Sequence, residues 1–276
     1  MSERNFFELL EARWAEGKHV CVGLDSELSK IPTCAVINGV TNTIFNFNRR
    51  IVDATYDVVC AYKPNIAFYE ELGPSGLEAL WKTFRYINDI APGVPVVLDH
   101  KCTDIGNTNL GYVKSSFTYF AADAVTVFPY FGKEALKPFL AQKNKGIIVL
   151  CRTSNPGGGE FQDLLVDGIP FYQVVARHVA ETWNEHGNCC VVAGATFPKE
   201  LAEIRKIVGD MTMLLPGIGA QQGDVKATVT AGKNSRGKGM IINNARGVIF
   251  ASDGPDFAEA ARTALVKCHN LVIQSL

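Results

Sequence analysis

Val94-Pro95-Val96-Val97-Leu98-Asp99-His100-Lys101-Cys102-Thr103-Asp104-Ile105-Gly106-Asn107-Thr108 carries an apolar run into the pattern D-x-K-x-x-D-I-G-x-T. A short, nearly continuous apolar run of this kind suits a parallel strand covered by helices on its outer side. Side chains two apart on a strand share a face, so Asp99 and Lys101 are expected to project together, with Asp104 in the loop just beyond. One segment would then deliver a carboxylate, an ammonium and a second carboxylate to one place. Clustered charges perturb one another's pKa values and often mark a functional site. For D-x-K alone, an ion pair that merely plugs the end of a sheet or barrel is an equally open reading.

Seven further runs rich in Val, Ile and Leu flank this one. Together the eight cover residues 19–25, 58–65, 94–101, 124–129, 146–152, 189–195, 213–219 and 240–246. Helical spacing of apolar residues appears between them, at 41–56, 76–90, 108–120, 171–186 and 198–208, and again at 256–274. Eight β/α alternations over about 250 residues predict a (β/α)8 TIM barrel. The N-terminal stretch carries Phe6, Phe7, Leu10 and Trp14 among charges and reads as an amphipathic helix lying on the core. The competing doubly wound sheet is weakened because no G-x-G-x-x-G opens a helix after the first strand. With no shift in composition and no tandem repeat, residues 1–276 read as a single α/β barrel domain with that N-terminal helix.

Composition narrows the function. The chain has 27 Lys and Arg against 28 Asp and Glu, a formal net charge of -1, so no global field draws nucleic acid or an anionic membrane. No apolar run approaches the roughly 20 residues that span a bilayer. Eight cysteines are present without a C-x-x-C pair, which argues against a zinc or thioredoxin-type site. Several lie in apolar runs as small hydrophobes, and a reducing, cytoplasmic setting is the expectation.

Polar residues gather at the C-terminal ends of the strands, where barrels build their active sites. These are Asp25; Lys63 and Asn65; Asp99, His100 and Lys101; Arg152, Thr153, Ser154 and Asn155; and Asn243, Asn244 and Arg246. Singly each has a plain explanation, Asp25 as a helix cap or Lys63 as a paired interior lysine. Five polar strand ends are harder to assign to packing. After the seventh strand comes Pro216-Gly217-Ile218-Gly219-Ala220-Gln221-Gln222-Gly223-Asp224, whose glycines can turn backbone N–H groups toward an anion. Arg246 after the eighth can add a bidentate fork. Barrels often hold phosphate between these two loops. The Gly157-Gly158-Gly159 run has no basic partner nearby in sequence and reads as a flexible loop, or a lid folding over a ligand.

The chain resembles the orotidine 5′-phosphate decarboxylase family, in its longer-chain subgroup. The resemblance rests on the segment from Asp99 to Thr108, which fits the family pattern without a gap, and extends from Val20-Cys21-Val22-Gly23-Leu24-Asp25 to Arg246. It implies conversion of orotidine monophosphate to uridine monophosphate and carbon dioxide, without metal or organic cofactor. It also implies a homodimer with shared sites, a nucleotide as substrate, and no nucleic-acid or membrane partner. By the family pattern Lys101 stabilises the C6 carbanion and protonates it. Asp99 and Asp104 flank it, Lys63 completes the array, and Asp25 and Thr108 hold ribose hydroxyls. Asn65 is a further substrate contact, Ser154 reads the pyrimidine edge, Gln221 bridges pyrimidine and phosphate, and Arg246 holds the phosphate. Asp104 and Thr108 are expected to come across the dimer interface. His100 and Cys102 fall on free positions and are expected to face the helices. The alternative is a magnesium-dependent enzyme like 3-keto-L-gulonate 6-phosphate decarboxylase, which shares a D-x-K-x-x-D core.

Overall fold

The computed structural model describes residues 4–218 and 224–276. Eight strands alternate with helices: β1 (Val20–Gly23), β2 (Ala61–Lys63), β3 (Val97–Cys102), β4 (Ala124–Val127), β5 (Gly146–Arg152), β6 (Cys189–Ala193), β7 (Met213–Pro216) and β8 (Met240–Asn244). All neighbouring pairs run parallel, in the order β2-β1-β8-β7-β6-β5-β4-β3. The two outermost strands of that order meet through the bridges Tyr62 to Val96 and Asn65 to Asp99, so the sheet closes on itself. The result is the expected (β/α)8 barrel, and closure leaves no long edge to pair with another chain.

Two cores follow from strand alternation. Inside the barrel lie Cys21, Ala61, Val97, Ala124, Ile148, Leu150, Cys190, Val192, Leu214 and Ile241. The N-terminal helix, Phe6–Ala15, closes the barrel's lower end with Phe6, Leu10 and Trp14. Asn5 caps that helix by accepting from the Phe7 and Glu8 amides, and the Trp14 indole donates to the Met240 carbonyl at 3.0 Å. The larger core lies between the outward strand faces and the helices, with Phe47, Phe84, Phe139 and Phe257 fully buried.

In four strands the residue two beyond an inward apolar position is polar: Lys63 follows Ala61, Asp99 follows Val97, Thr126 follows Ala124 and Asn243 follows Ile241. The barrel is therefore dry at its lower end and polar at its C-terminal rim.

Most strands stop short of the expected bounds, β2 starting at Ala61 rather than residue 58 and β7 ending at Pro216 rather than 219. Ladder pairing ends where the chain turns outward to make its loops. The expected helix over 108–120 is an α-helix Gly106–Val113 that loosens into a π-helical turn, Lys114–Tyr119. The segment 171–186 divides in the same way after His178. Helices Gly132–Leu140 and Val225–Gly232 are additional to those expected, the first concealed by the interior Pro138. All eight cysteines are free thiols, seven of them buried. No helix among the described residues is long and apolar enough to cross a membrane.

Candidate active site

Asp99 is the centre of the rim. Its Oδ2 accepts from Lys63 Nζ at 2.7 Å and from Asn65 Nδ2 at 3.2 Å. Its Oδ1 accepts from Lys101 Nζ at 2.6 Å and from Thr126 Oγ1 at 2.9 Å. Asp99 and Lys63 are almost wholly buried, whereas the Lys101 side chain keeps 40% of its surface exposed. One buried carboxylate thus carries two ammonium groups, with Lys101 turned toward the opening.

Electrostatics explains why this array is tolerated. Burial alone would raise the Asp99 pKa, but the Lys63 and Lys101 cations outweigh it and hold the carboxyl well below its usual range. Burial opposes the Lys63 ammonium too, yet Asp99 and Asp25 keep its pKa above the ordinary lysine value. Asp25 sits nearby with a buried Oδ1 that has no partner. Burial raises its pKa, and the Lys63 cation only partly offsets that. A buried acceptor left open at the rim is positioned for a ligand hydroxyl.

Lys101 and Asp99 meet as expected, though not by simple alternation. The β3–β4 register shifts between Leu98 and Cys102, and Lys101 has φ of 50°. A side chain with a Cβ in this left-handed region carries strain of about 1–2 kcal/mol, a feature that clusters at functional sites. The Lys101 amide donates to Thr126 Oγ1 at 2.9 Å while that hydroxyl donates to Asp99. Thr126 therefore stitches the bulge to the carboxylate. His100 and Cys102 face away, as anticipated. His100 packs edge-on against Tyr112 at 5.4 Å, and Cys102 is buried in the outer core.

Two adjoining cavities open above this array. One, of about 440 Å³, is lined by Lys63, Asp99, Lys101, Thr126, Ser154 and Gln162 among others. The second, of about 140 Å³, shares Lys63, Asp99, Ser154 and Pro216 and adds Asp25, Gly217, Asn243 and Arg246. The two ends differ in chemistry, lysine and carboxylate at one, arginine and turning backbone at the other, with Gly217 at φ of 107°. A larger groove of about 700 Å³ lies apart from this rim, against Trp81, Arg85 and Lys114.

The structure thus brings together Asp25, Lys63, Asp99, Lys101, Ser154 and Arg246, with Asn65 bound to Asp99. Gln221 lies outside the described residues, as do Gly219 and Gly223. Asp104 and Thr108 line neither cavity. Asp104 accepts from the Ile105 amide at 2.6 Å, and Thr108 faces a separate groove beside His100 and Tyr112.

The glycine run after β5, read from the sequence as a flexible loop or a lid, takes regular local form. Residues Pro156–Gly158 form a 3-10 turn and Gly159–Gln162 a short helix. A basic partner is present: Arg152, whose Nη2 donates to Asp163 Oδ2 at 3.1 Å. Sequence reasoning also missed Thr126 and Gln162. Thr126 is the only hydroxyl in β4, a weak signal at most, and Gln162 reaches the cavity only through the bend of its loop.

Among the described residues, no three His, Cys, Asp or Glu side chains are grouped to hold a metal ion.

A closed parallel barrel with a lysine–carboxylate array and an arginine cradle at its C-terminal rim defines a barrel enzyme built for a small phosphorylated molecule. Residues 18–263 match the family model described as orotidine 5′-phosphate decarboxylase / HUMPS family, and the chain belongs to that family. The orotidine 5′-phosphate decarboxylase of Cupriavidus metallidurans is 49% identical over 269 residues, 97% of each chain. A structure of Leishmania donovani OMP decarboxylase superposes with a TM-score of 0.83 at 35% identity, covering 97% of this chain and 99% of that one. The structure of Leishmania donovani UMP synthase gives a TM-score of 0.86 at 37% identity; it covers 98% of this chain but only 56% of the longer one.

Proposed function

We propose that this chain, a carboxy-lyase, converts orotidine 5′-phosphate to uridine 5′-phosphate and carbon dioxide, a step of pyrimidine nucleotide synthesis. The observation that carries the reading is the Lys63–Asp99–Lys101 array opening on a cavity whose far end holds Arg246. Loss of carbon dioxide from C6 leaves an electron pair that the ring delocalises poorly. A cation fixed beside C6 before reaction stabilises that charge without reorganisation. Lys101 fits this role, being paired on one side and open to the cavity on the other. Its Nζ–H then protonates C6, so the carboxylate leaves as neutral carbon dioxide and the proton replaces it.

Two unit charges about 4 Å apart interact by roughly 4 kcal/mol at an effective dielectric near 20. Each 1.4 kcal/mol of differential stabilisation is worth about tenfold in rate. One lysine therefore supplies part of the acceleration, and distant binding energy supplies more. Arg246 and the Gly217 backbone suit the phosphate, Asp25 and Asn65 the ribose end, and Ser154 the pyrimidine edge. Gln221 joins them by sequence position.

Asp104 and Thr108 would complete the neighbouring site of a homodimer. Their placement outside their own chain's cavities supports this, as does an apolar surface beside them. Ile105, Leu110, Phe128, Tyr130 and Phe131 are all exposed there, and the Thr103 hydroxyl ties the two loops by donating to the Phe128 carbonyl at 2.9 Å.

The experiment mixes the protein with orotidine 5′-phosphate in EDTA and follows substrate absorbance, with uridine 5′-phosphate as the expected product. Absence of product from folded protein refutes the reading. In the same assay Lys101→Ala and Asp104→Ala should each be inactive. Their equal mixture should recover about a quarter of wild-type turnover, because half the reassorted dimers regain one whole site. No recovery on mixing would refute the shared site.

A further inference from the structure

Beneath the loop after β5 lies a charged side chain that the decarboxylation chemistry does not use. Arg152 ends β5 with a side chain only 3% exposed. Its Nε lies 3.0 Å from Asp163 Oδ1, and its Nη2 donates to Oδ2 at 3.1 Å. Nη1 donates to the Thr153 carbonyl at 3.0 Å and to Gln162 Oε1 at 3.3 Å. The guanidinium stacks over Phe197, 4.1 Å from the ring centre. Gln162 is gripped a second time, its Oε1 accepting from the Thr153 amide and its Nε2 donating to Thr153 Oγ1, each at 2.9 Å.

The glycines of this loop serve close approach. A Cβ on Gly158 would stand 2.7 Å from Arg152 Nη1 and 2.8 Å from Thr153 Oγ1, and one on Gly159 would collide with the Asp163 carboxylate. Opposite, a Cβ on Gly194 would stand 2.8 Å from the Ser154 Cα. Residues 153–154 are thus confined from both sides, and Thr153, Ser154 and Gln162 line the larger cavity together.

We propose that Arg152, clamped by Asp163, is a positioning residue that fixes Gln162 and the Thr153–Ser154 peptide as the edge that reads the pyrimidine base. Arg152 itself does not line the cavity, whereas Gln162 does and is the specificity-determining side chain. The inference rests on the reading of this cavity as a pyrimidine nucleotide site. The reading edge is held by bonds within the protein itself, through Arg152, Thr153 and Asp163. An edge held in this way lowers the ordering cost of binding.

The test uses two ligands that share ribose and phosphate but differ in the base, uridine 5′-phosphate and ribose 5-phosphate, measured by calorimetry alongside turnover. Asp163 is half-exposed, so Asp163→Asn breaks the clamp while leaving the buried arginine in place. Losing a charge-assisted bond should weaken uridine 5′-phosphate about tenfold and raise KM more than it lowers kcat. Ribose 5-phosphate affinity should stay unchanged. Gln162→Ala should repeat the pattern and Asp163→Glu should recover most of the loss. If both ligands weaken together, or neither changes, the positioning role is refuted while the function stands. If wild-type protein neither decarboxylates the substrate nor binds uridine 5′-phosphate, the nucleotide reading falls and this inference falls with it.

Discussion

Asp99 and Lys101 were legible as a pair from their spacing of two, but a register shift and the left-handed backbone at Lys101, not plain alternation, bring them together. Thr126 spans the two, taking the Lys101 amide and giving its proton to Asp99. Thr126→Val keeps the shape of the side chain and removes both bonds. It should lower kcat/KM by about tenfold to a hundredfold, the equivalent of roughly 1.5–3 kcal/mol for a hydrogen bond to a charged group. Steady-state kinetics on the folded variant checks it, and unchanged turnover would show that the bulge at Lys101 holds without the hydroxyl. Nothing local marks Thr126 in advance, since a lone threonine in an apolar strand is ordinary. Lys63 and Arg246 were legible because strand ends of a barrel converge. Arg152 was visible as a strand end, but its hold on Asp163 depends on a loop bending back over eleven residues.

At the level of elements, the strands were legible as apolar runs and their ends were not. A strand's last paired residue depends on its neighbour's register, which no single run reveals. Pro138 hid a helix because proline in an interior turn usually breaks one. The N-terminal helix was recognisable from Phe6, Leu10 and Trp14, while its seat in the barrel floor was not. Phe6 is fully buried against Gly146 and Ala124, so the floor is fitted to its ring. Phe6→Ala should cost about 3–5 kcal/mol of unfolding free energy by urea denaturation. Because the floor lies far from the rim, kcat/KM should hold within about twofold. A loss of activity without a loss of stability would contradict the separation of floor from rim.

Over the whole molecule, the count of eight runs predicted the barrel, whereas the bridges that close β2 on β3 needed the three-dimensional path. Stability of the closed barrel carries a pH dependence from His19, which precedes β1 at the floor. Burial lowers its pKa to about 4, with His269 and Lys238 adding repulsion. The unfolded chain takes up this proton near pH 6.5 and the folded chain only near 4. The contribution is therefore complete above about pH 6.5 and is lost as pH falls toward 4, on the order of 3 kcal/mol. Urea midpoints from pH 7 to 4 should fall more steeply in the wild type than in His19→Gln. Parallel curves would place the proton uptake elsewhere.

The seat of the N-terminal helix also sets an order of events during synthesis. Trp14 donates to the carbonyl of Met240, 226 residues later in the chain. Once this helix has left the ribosome, 226 more residues must follow before its permanent partner exists. Until then Phe6, Leu10 and Trp14 remain an unburied apolar stripe, open to chaperones or to a neighbouring nascent chain.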